Sequence, residues 1–156
     1  MDAYDAMFSA GYVLNEQIAA QMFEMVPEGG AVLAIVDGSG HYWASDPEAF
    51  AQLNLMETLL DGLQRQVDDG AEPATVQVGD MTVVVTQLCT DETNCGYLVL
   101  AVPRYNRDMT QTNLDLIELV LNQAALVARL VERCSHLSDI QRKCYEAYGT
   151  AHAPVN

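Results

Sequence analysis

The sequence predicts an α+β fold: one antiparallel sheet of about five strands, with helices from both ends of the chain packed together on one face. Three observations predict it. Helical and strand patterns alternate as helix, two strands, helix, three strands, helix. The strands come in neighbours joined by short turns, which antiparallel pairing allows and parallel pairing does not. Two runs, residues 31–36 and 97–102, are apolar at successive positions, as in strands buried on both faces, and belong at the centre of the sheet.

The elements follow in order. Residues 4–26 read as a helix, with Phe8, Tyr12, Ile18, Met22 and Val26 near one face, closed by Pro27-Glu28-Gly29-Gly30. Ala31–Val36 is the first strand, Asp37-Gly38-Ser39-Gly40 a turn, and His41–Ser45 the returning strand. Asp46 caps a helix over 47–69, with Pro47 at its first position and capping-box spacing from Ser45 to Glu48. Phe50, Leu53, Met56, Leu60, Leu63 and Val67 keep a 3.6-residue period, and Gly70 stops it. Val76–Val78 and Met81–Leu88 flank Gly79-Asp80, a two-residue hairpin turn. Tyr97–Val102 is the last strand, closed by Pro103, and a cap at Thr110 or Thr112 opens a long helix. The tail from Gly149 to Asn156 carries no pattern of order.

The chain has 156 residues, half of them apolar, enough for one domain with its own core. No apolar run is long enough to span a bilayer, and the acidic start, Met1-Asp2-Ala3-Tyr4-Asp5, is unlike a signal peptide, so a cytoplasmic location is expected. The net charge is −15, all of it in residues 1–103, which hold sixteen acids and one base, Arg65. Residues 104–156 balance six acids with six bases. That field repels phosphate, which excludes nucleic acid and anionic membranes as partners. It serves solubility, or the docking of a basic protein.

Chemistry-bearing motifs are few. No P-loop, dinucleotide fingerprint, Gly-x-Ser-x-Gly or His-Glu-x-x-His occurs, so no enzyme activity and no cofactor are expected. Cys134-x-His136 lacks two further ligands at metal-site spacing, and no metal is expected. Cys89 and Cys95 face each other if the five-residue loop between them closes symmetrically. They are either two reduced thiols or a reversible redox pair. On the second strand, alternation sends Tyr42 one way and Trp43 the other. Trp43 is either edge packing or the wall of a small-molecule pocket, with Gln87 and Tyr97 as polar groups on the same sheet.

The strand Cys95-Gly96-Tyr97-Leu98-Val99-Leu100-Ala101, with its opening glycine, is followed by a turn and then by Thr110–Glu132, with Asn122-Gln123-Ala124-Ala125 inside it. This resembles the closing strand and helix of a GAF domain, and most of residues 10–132 agree with that family's order. The resemblance implies a sensory or dimerisation module of the GAF, PAS and profilin-like type. Here one helix, 47–69, fills the interval where that family places its pocket roof, and the Asn-Lys-x-Phe-x-Asp-Glu motif of cyclic-nucleotide-binding members is missing. The stretch "VPEGGAVLAIVDGSGHYWAS" is also similar to the first hairpin of roadblock-like regulators of small GTPases, the second choice. A PAS domain is the third.

The last helix has two apolar stripes. Ile117, Leu121, Ala124, Ala128 and Val131 are assigned to the domain's own core. Leu116, Val120, Gln123, Val127, Leu130, Cys134, Leu137, Gln141, Cys144 and Tyr148 alternate spacings of 4 and 3, a heptad seam that outlasts the first stripe. One domain cannot bury both. The expected organisation is a GAF-like domain over 1–132 and a helical extension with tail over 133–156. Residues Val120, Gln123, Val127, Leu130, Cys134 and Leu137 then form a homodimer interface, with helix 4–26 adding to the bundle. The competing reading has the end of the helix packing back on its own domain. The function expected is non-catalytic signalling through a separate protein partner, with a small-molecule ligand as a sensor or without one as a scaffold.

Overall fold

A computed structural model describes residues 10–26, 30–55, 57–70, 72–103 and 111–151. The expected helix over 4–26 lies outside these at residues 4–9, as do Pro27-Glu28-Gly29, Met56, the turn 104–110 and the tail from 152. The elements are α1 (Ala10–Phe23), β1 (Val32–Val36), β2 (Tyr42–Ala44), α2 (Pro47–Gln52), α3 (Glu57–Asp68), β3 (Ala74–Val78), β4 (Met81–Cys89), β5 (Asn94–Pro103) and α4 (Gln111–Ala151).

The sheet has five strands in the order β2-β1-β5-β4-β3, every neighbouring pair antiparallel. The two runs expected at the centre are there: β5 is the middle strand and β1 lies beside it. Period-2 alternation splits their side chains into two cores. Leu33, Ile35, Leu98 and Leu100 face α1 and α4, where Ile18, Met22, Leu121, Ala124 and Ala128 meet them. Val32, Ala34, Val99 and Ala101 face the other way, against Phe50, Leu63 and Val67 of α2 and α3. The helices from the two ends of the chain thus share one face, as expected.

The helix expected over 47–69 is two helices. Asp46 caps α2, its Oδ1 accepting from Ala49 N at 2.9 Å, but Asn54 has φ 45° and ends the run. Asparagine enters this left-handed region more readily than other side chains that have a Cβ. The apolar period runs on through Leu53, Leu60 and Leu63, which is why the break leaves no mark in the pattern. The long helix α4 continues to Ala151, so residues 149–151 of the expected tail are helical.

Gly96, opposite Leu88 in the ladder, has φ 98°. A Cβ there would stand 2.7 Å from Asp37 Cα and closer still to Val36 O. Here the backbones of β1 and β5 approach too closely for any other residue. We expect Gly96→Ala to lower unfolding stability by about 3 kcal/mol or more. Gly38→Ala, where a Cβ meets nothing within 4 Å, should stay within about 0.5 kcal/mol of the parent. Urea unfolding of the two variants checks this, and equal midpoints would refute the close-packing argument.

Candidate functional site

The structure presents three places where side chains could act: a cleft on the α2–α3 face, a hairpin clasped to α4, and the outer surface of α4.

The cleft, about 490 Å³, opens between the β1–β2 turn and the α2–α3 corner. Its turn is locked by Asp37, whose Oδ1 accepts from Ser39 N at 2.9 Å, Ser39 Oγ at 2.7 Å and His41 N at 3.0 Å. The Ser39 hydroxyl also lies 2.7 Å from His41 Nδ1. This is no nucleophile–base relay. A relay sets the hydroxyl on one imidazole nitrogen and the carboxylate on the other, whereas here both lie on the Nδ1 side, with Asp37 Oδ2 at 3.9 Å. The apolar wall is Tyr42 and Phe50, with ring centroids 4.9 Å apart and tilted by 43°. Asn54 and Gln64 add amides; Asp37, Glu57 and Asp61 add carboxylates, and among the described residues no lysine or arginine lines the cleft. Such a lining suits a neutral or cationic molecule and repels phosphate.

The residues expected to line a pocket are dispersed. Gln87 and Tyr97 are register partners on the α2–α3 face. Trp43, opposite Ile35, packs on the α1–α4 face. The three share no wall, and none of them lines the cleft. The Tyr97 hydroxyl is held by Asp68, 2.9 Å from each carboxylate oxygen, which ties α3 to β5. Burial, and then the hydrogen bond and charge of Asp68, raise its pKa. Gln87 is held through its backbone N–H, donated to Glu72 Oε1 at 2.8 Å. Tyr42, the neighbour of Trp43, supplies the aromatic wall because alternation turns it to the other face.

Cys89 and Cys95 do not face each other. A bulge at Leu88/Cys89 sets Cys89 opposite Asn94 and leaves Cys95 as the extra residue. Asn94 Oδ1 takes the Gly96 N–H at 3.0 Å, which restarts the strand one residue earlier than a symmetric loop would. Both thiols are free; Cys89 is exposed and Cys95 buried. Burial, then Cys89 and Glu132, push the Cys95 thiol up to about 11. Burial, then Glu72, raise that of Cys89. Both shifts disfavour the thiolate on which redox exchange depends.

The β4–β5 loop is clasped to α4 by Glu132, 2% exposed. This residue escaped the sequence reading, although its spacing of four from Ala128 puts it on the buried face. Its carboxylate accepts from the Thr90 hydroxyl and from Thr93 Oγ1 at 2.7 Å. Burial works to raise its pKa, but those two hydroxyls and the backbone N–H groups of Glu92 and Asp91 outweigh it, and the net shift is downward. Around it, Arg133 Nη2 meets Asp91 Oδ2 at 3.0 Å and His136 lies 3.5 Å from Glu92. At the base of the same hairpin Asn15 of α1 donates to Cys95 O at 3.4 Å.

Beyond the clasp α4 leaves the body, and every residue from His136 to Ala151 is exposed. The stripe assigned to the domain's core is inside: Leu121, Ala124 and Ala128 are buried, with Ile117 and Val131 packed on them. On the seam, Val127 is half-buried, whereas Val120, Gln123, Leu130, Cys134 and Leu137 are exposed. Of eleven exposed large apolar side chains among the described residues, nine lie on α4, which makes this helix the molecule's main unpartnered apolar surface.

Among the described residues no group of three His, Cys, Asp or Glu is placed to hold a metal, and no helix is long and apolar enough to cross a membrane. No family model matches the chain, and no curated protein matches it. Among solved structures it is similar to the GAF domain/HD domain protein from Geobacter sulfurreducens, at 11% identity and a TM-score of 0.37, over 81% of this chain and 97% of that one.

A carboxylate stabilised in the fold contributes stability above its unfolded pKa, which is lost as pH falls through the lower folded value. We expect the parent to weaken in that acid window and Glu132→Gln to show a flatter dependence there. Glu132→Ala, which strands two threonine hydroxyls, should cost about 2–4 kcal/mol near neutral pH. Urea midpoints at stepped pH read both effects, and parallel curves for parent and Glu132→Gln would remove the clasp from the account.

Proposed function

We propose that this protein is a non-catalytic, GAF-like regulatory module that works as a homodimer through the outer face of α4 and signals to a separate protein. The observation that carries this reading is the exposed row Leu116, Val120, Leu130, Leu137 and Tyr148, which runs past the end of the body. Apolar residues repeated at 3.5-residue spacing along a helix, with nothing among the described residues to cover them, call for a second helix. In this reading residues 1–132 are the domain and 133–156 its extension, and the protein works in the cytoplasm. The order of elements and sheet, with terminal helices on one face and a cleft on the other, supports the GAF-like assignment. The cleft beside Tyr42 supports a neutral or cationic small-molecule ligand.

A second reading, a roadblock-like scaffold for a small GTPase, is favoured by one observation. Only the short pair α2 and α3 occupies the interval between β2 and β3, so that face has little roof. In that reading the cleft takes no small molecule and the partner is a protein alone.

Sedimentation of the parent at micromolar concentration should give a dimer, and Leu130→Asp with Leu137→Asp a monomer. Two buried charges in the seam cost several kcal/mol, far more than such an interface tolerates. A monomeric parent would overturn the dimer, and a dimer that survives both substitutions would place the interface elsewhere.

A further inference from the structure

We infer that the open edge of β3 docks an extended, basic segment of a partner protein, which joins the sheet as a further strand. This names a surface for the separate protein partner proposed above and rests on that reading, but not on the homodimer. Strand β3 (Ala74–Val78) is outermost on its side of the sheet, and among the described residues only β4 pairs with it. The turn between the two strands is Gly79-Asp80, closed by the pair Val78 and Met81. In a two-residue hairpin the closing pair exchanges both backbone hydrogen bonds, and bonded and non-bonded pairs then alternate. The backbone groups of Val78, Val76 and Ala74 therefore face β4, and those of Thr75 and Gln77 face outward. The Gln77 and Thr82 side chains, bonded at 2.8 Å, fit the closer spacing of a pair that shares no backbone bonds.

The neighbouring stretch of edge is sealed and this one is not. The series of β4 residues whose backbone faces β3, Met81, Val83 and Val85, continues to Gln87, past the start of β3. There Glu72 Oε1 accepts the Gln87 N–H at 2.8 Å and the Thr86 hydroxyl at 3.2 Å. Among the described residues no side chain caps the outward groups of β3 in this way. Edges are ordinarily blunted by a bulge, a proline, a charge or brevity. Strand β3 is five residues without charge or proline, and its ladder with β4 runs without a shift. The opposite edge, β2, has three residues.

Charge selects the occupant. Exposed acids stand at both ends of β3, Asp69 and Glu72 before it and Asp80 after it. They belong to a body that holds one base and sixteen acids. A second copy laid antiparallel, with Thr75 against Gln77, sets Glu72 opposite Asp80 at both ends, and like charges so placed repel. A basic strand is drawn to the same acids. Val76 and Val78, half-buried on the α2–α3 face, match apolar side chains on that side of the incoming strand. Its pattern is then apolar and basic in alternation.

Amide exchange of the full chain, read residue by residue by NMR, tests this with an alternating lysine–valine octapeptide as probe. Without peptide, the Thr75 and Gln77 amides should exchange fast and those of Val76 and Val78 slowly. Saturating peptide should slow the first two by about tenfold or more, and an alternating glutamate–valine octapeptide should leave them unchanged. Thr75→Pro removes an outward donor and no ladder bond. It should keep the parent's urea midpoint and bind the probe about tenfold more weakly or worse; the exchange readings on the parent stand whether or not this variant folds. No added protection at millimolar lysine–valine peptide overturns the edge and leaves the partner to another surface, as does unchanged affinity in a folded Thr75→Pro. Equal protection by the glutamate–valine peptide overturns the basic partner. Amides of Thr75 and Gln77 that are slow without peptide, in a dimer that Thr75→Pro splits, put a second copy on the edge and overturn both this inference and the α4 dimer. A monomeric parent whose two amides still respond to the probe overturns the homodimer alone and supports the edge.

Discussion

Burial of β1 and β5 on both faces is the constraint from which the rest of the architecture follows. A strand with valine, leucine and isoleucine on each side must be covered twice, and a chain of this length has few elements to do it with. Helices α1 and α4 cover one side with long contacts. The other side falls to α2 and α3, eighteen helical residues in all, with Asn54 turning the corner between them. A straight helix would have covered a single stripe. The broken one lays α2 against β1 and β2 and α3 against β3 and β4, and the cleft is the space left at its bend. Packing on one face and opening on the other are thus one solution to a single burial problem.

The second organising contact is the grip of the β4–β5 loop on α4. A buried carboxylate is costly unless its lone pairs are filled, and Glu132 fills them with two hydroxyls and the backbone of the loop. It stands on the last buried turn of α4. Upstream the helix is held by side chains of the sheet and α1; just downstream it keeps exposed polar contacts, Arg133 with Asp91, Ser135 with Gln17 and His136 with Glu92, and beyond these it is exposed. The clasp therefore stands where the buried turns of α4 give way to exposed ones, a change marked by polar contacts and not by a proline or glycine.

Much of this was legible in the amino-acid sequence, and the failures have physical causes. Runs apolar on both faces identified β1 and β5 as central, and the Ser45-Asp46-Pro47-Glu48 start of α2 was read from its caps. The inner and outer stripes of α4 were separable by period alone, because burial and exposure along a helix follow its pitch. The corner at Asn54 was not legible, since one residue in a left-handed conformation leaves the apolar period intact. The bulge that parts Cys89 from Cys95 depends on a hydrogen bond between Asn94 and Gly96, a choice among loop conformers that spacing does not encode. Alternation separated Tyr42 from Trp43 correctly, but which of the two faced a cleft depended on where α2 and α3 came to rest. Glu132 was legible in principle: an acid at helical spacing on an alanine-lined face is an invitation to look for its donors.

The unbroken course of α4 through the clasp has a mechanical meaning. From His136 to Ala151 it extends about 24 Å beyond the body as a single stiff rod. A tilt of about 5° where the hairpin loop grips it would sweep its tip by about 2 Å, a displacement of the size at which helix contacts shift from one packing to another. The fulcrum is the loop of residues 90–93, and the load is whatever the far end holds. A displacement of this loop by β4 or β5 would therefore be enlarged, by lever length alone, at the far end of the rod.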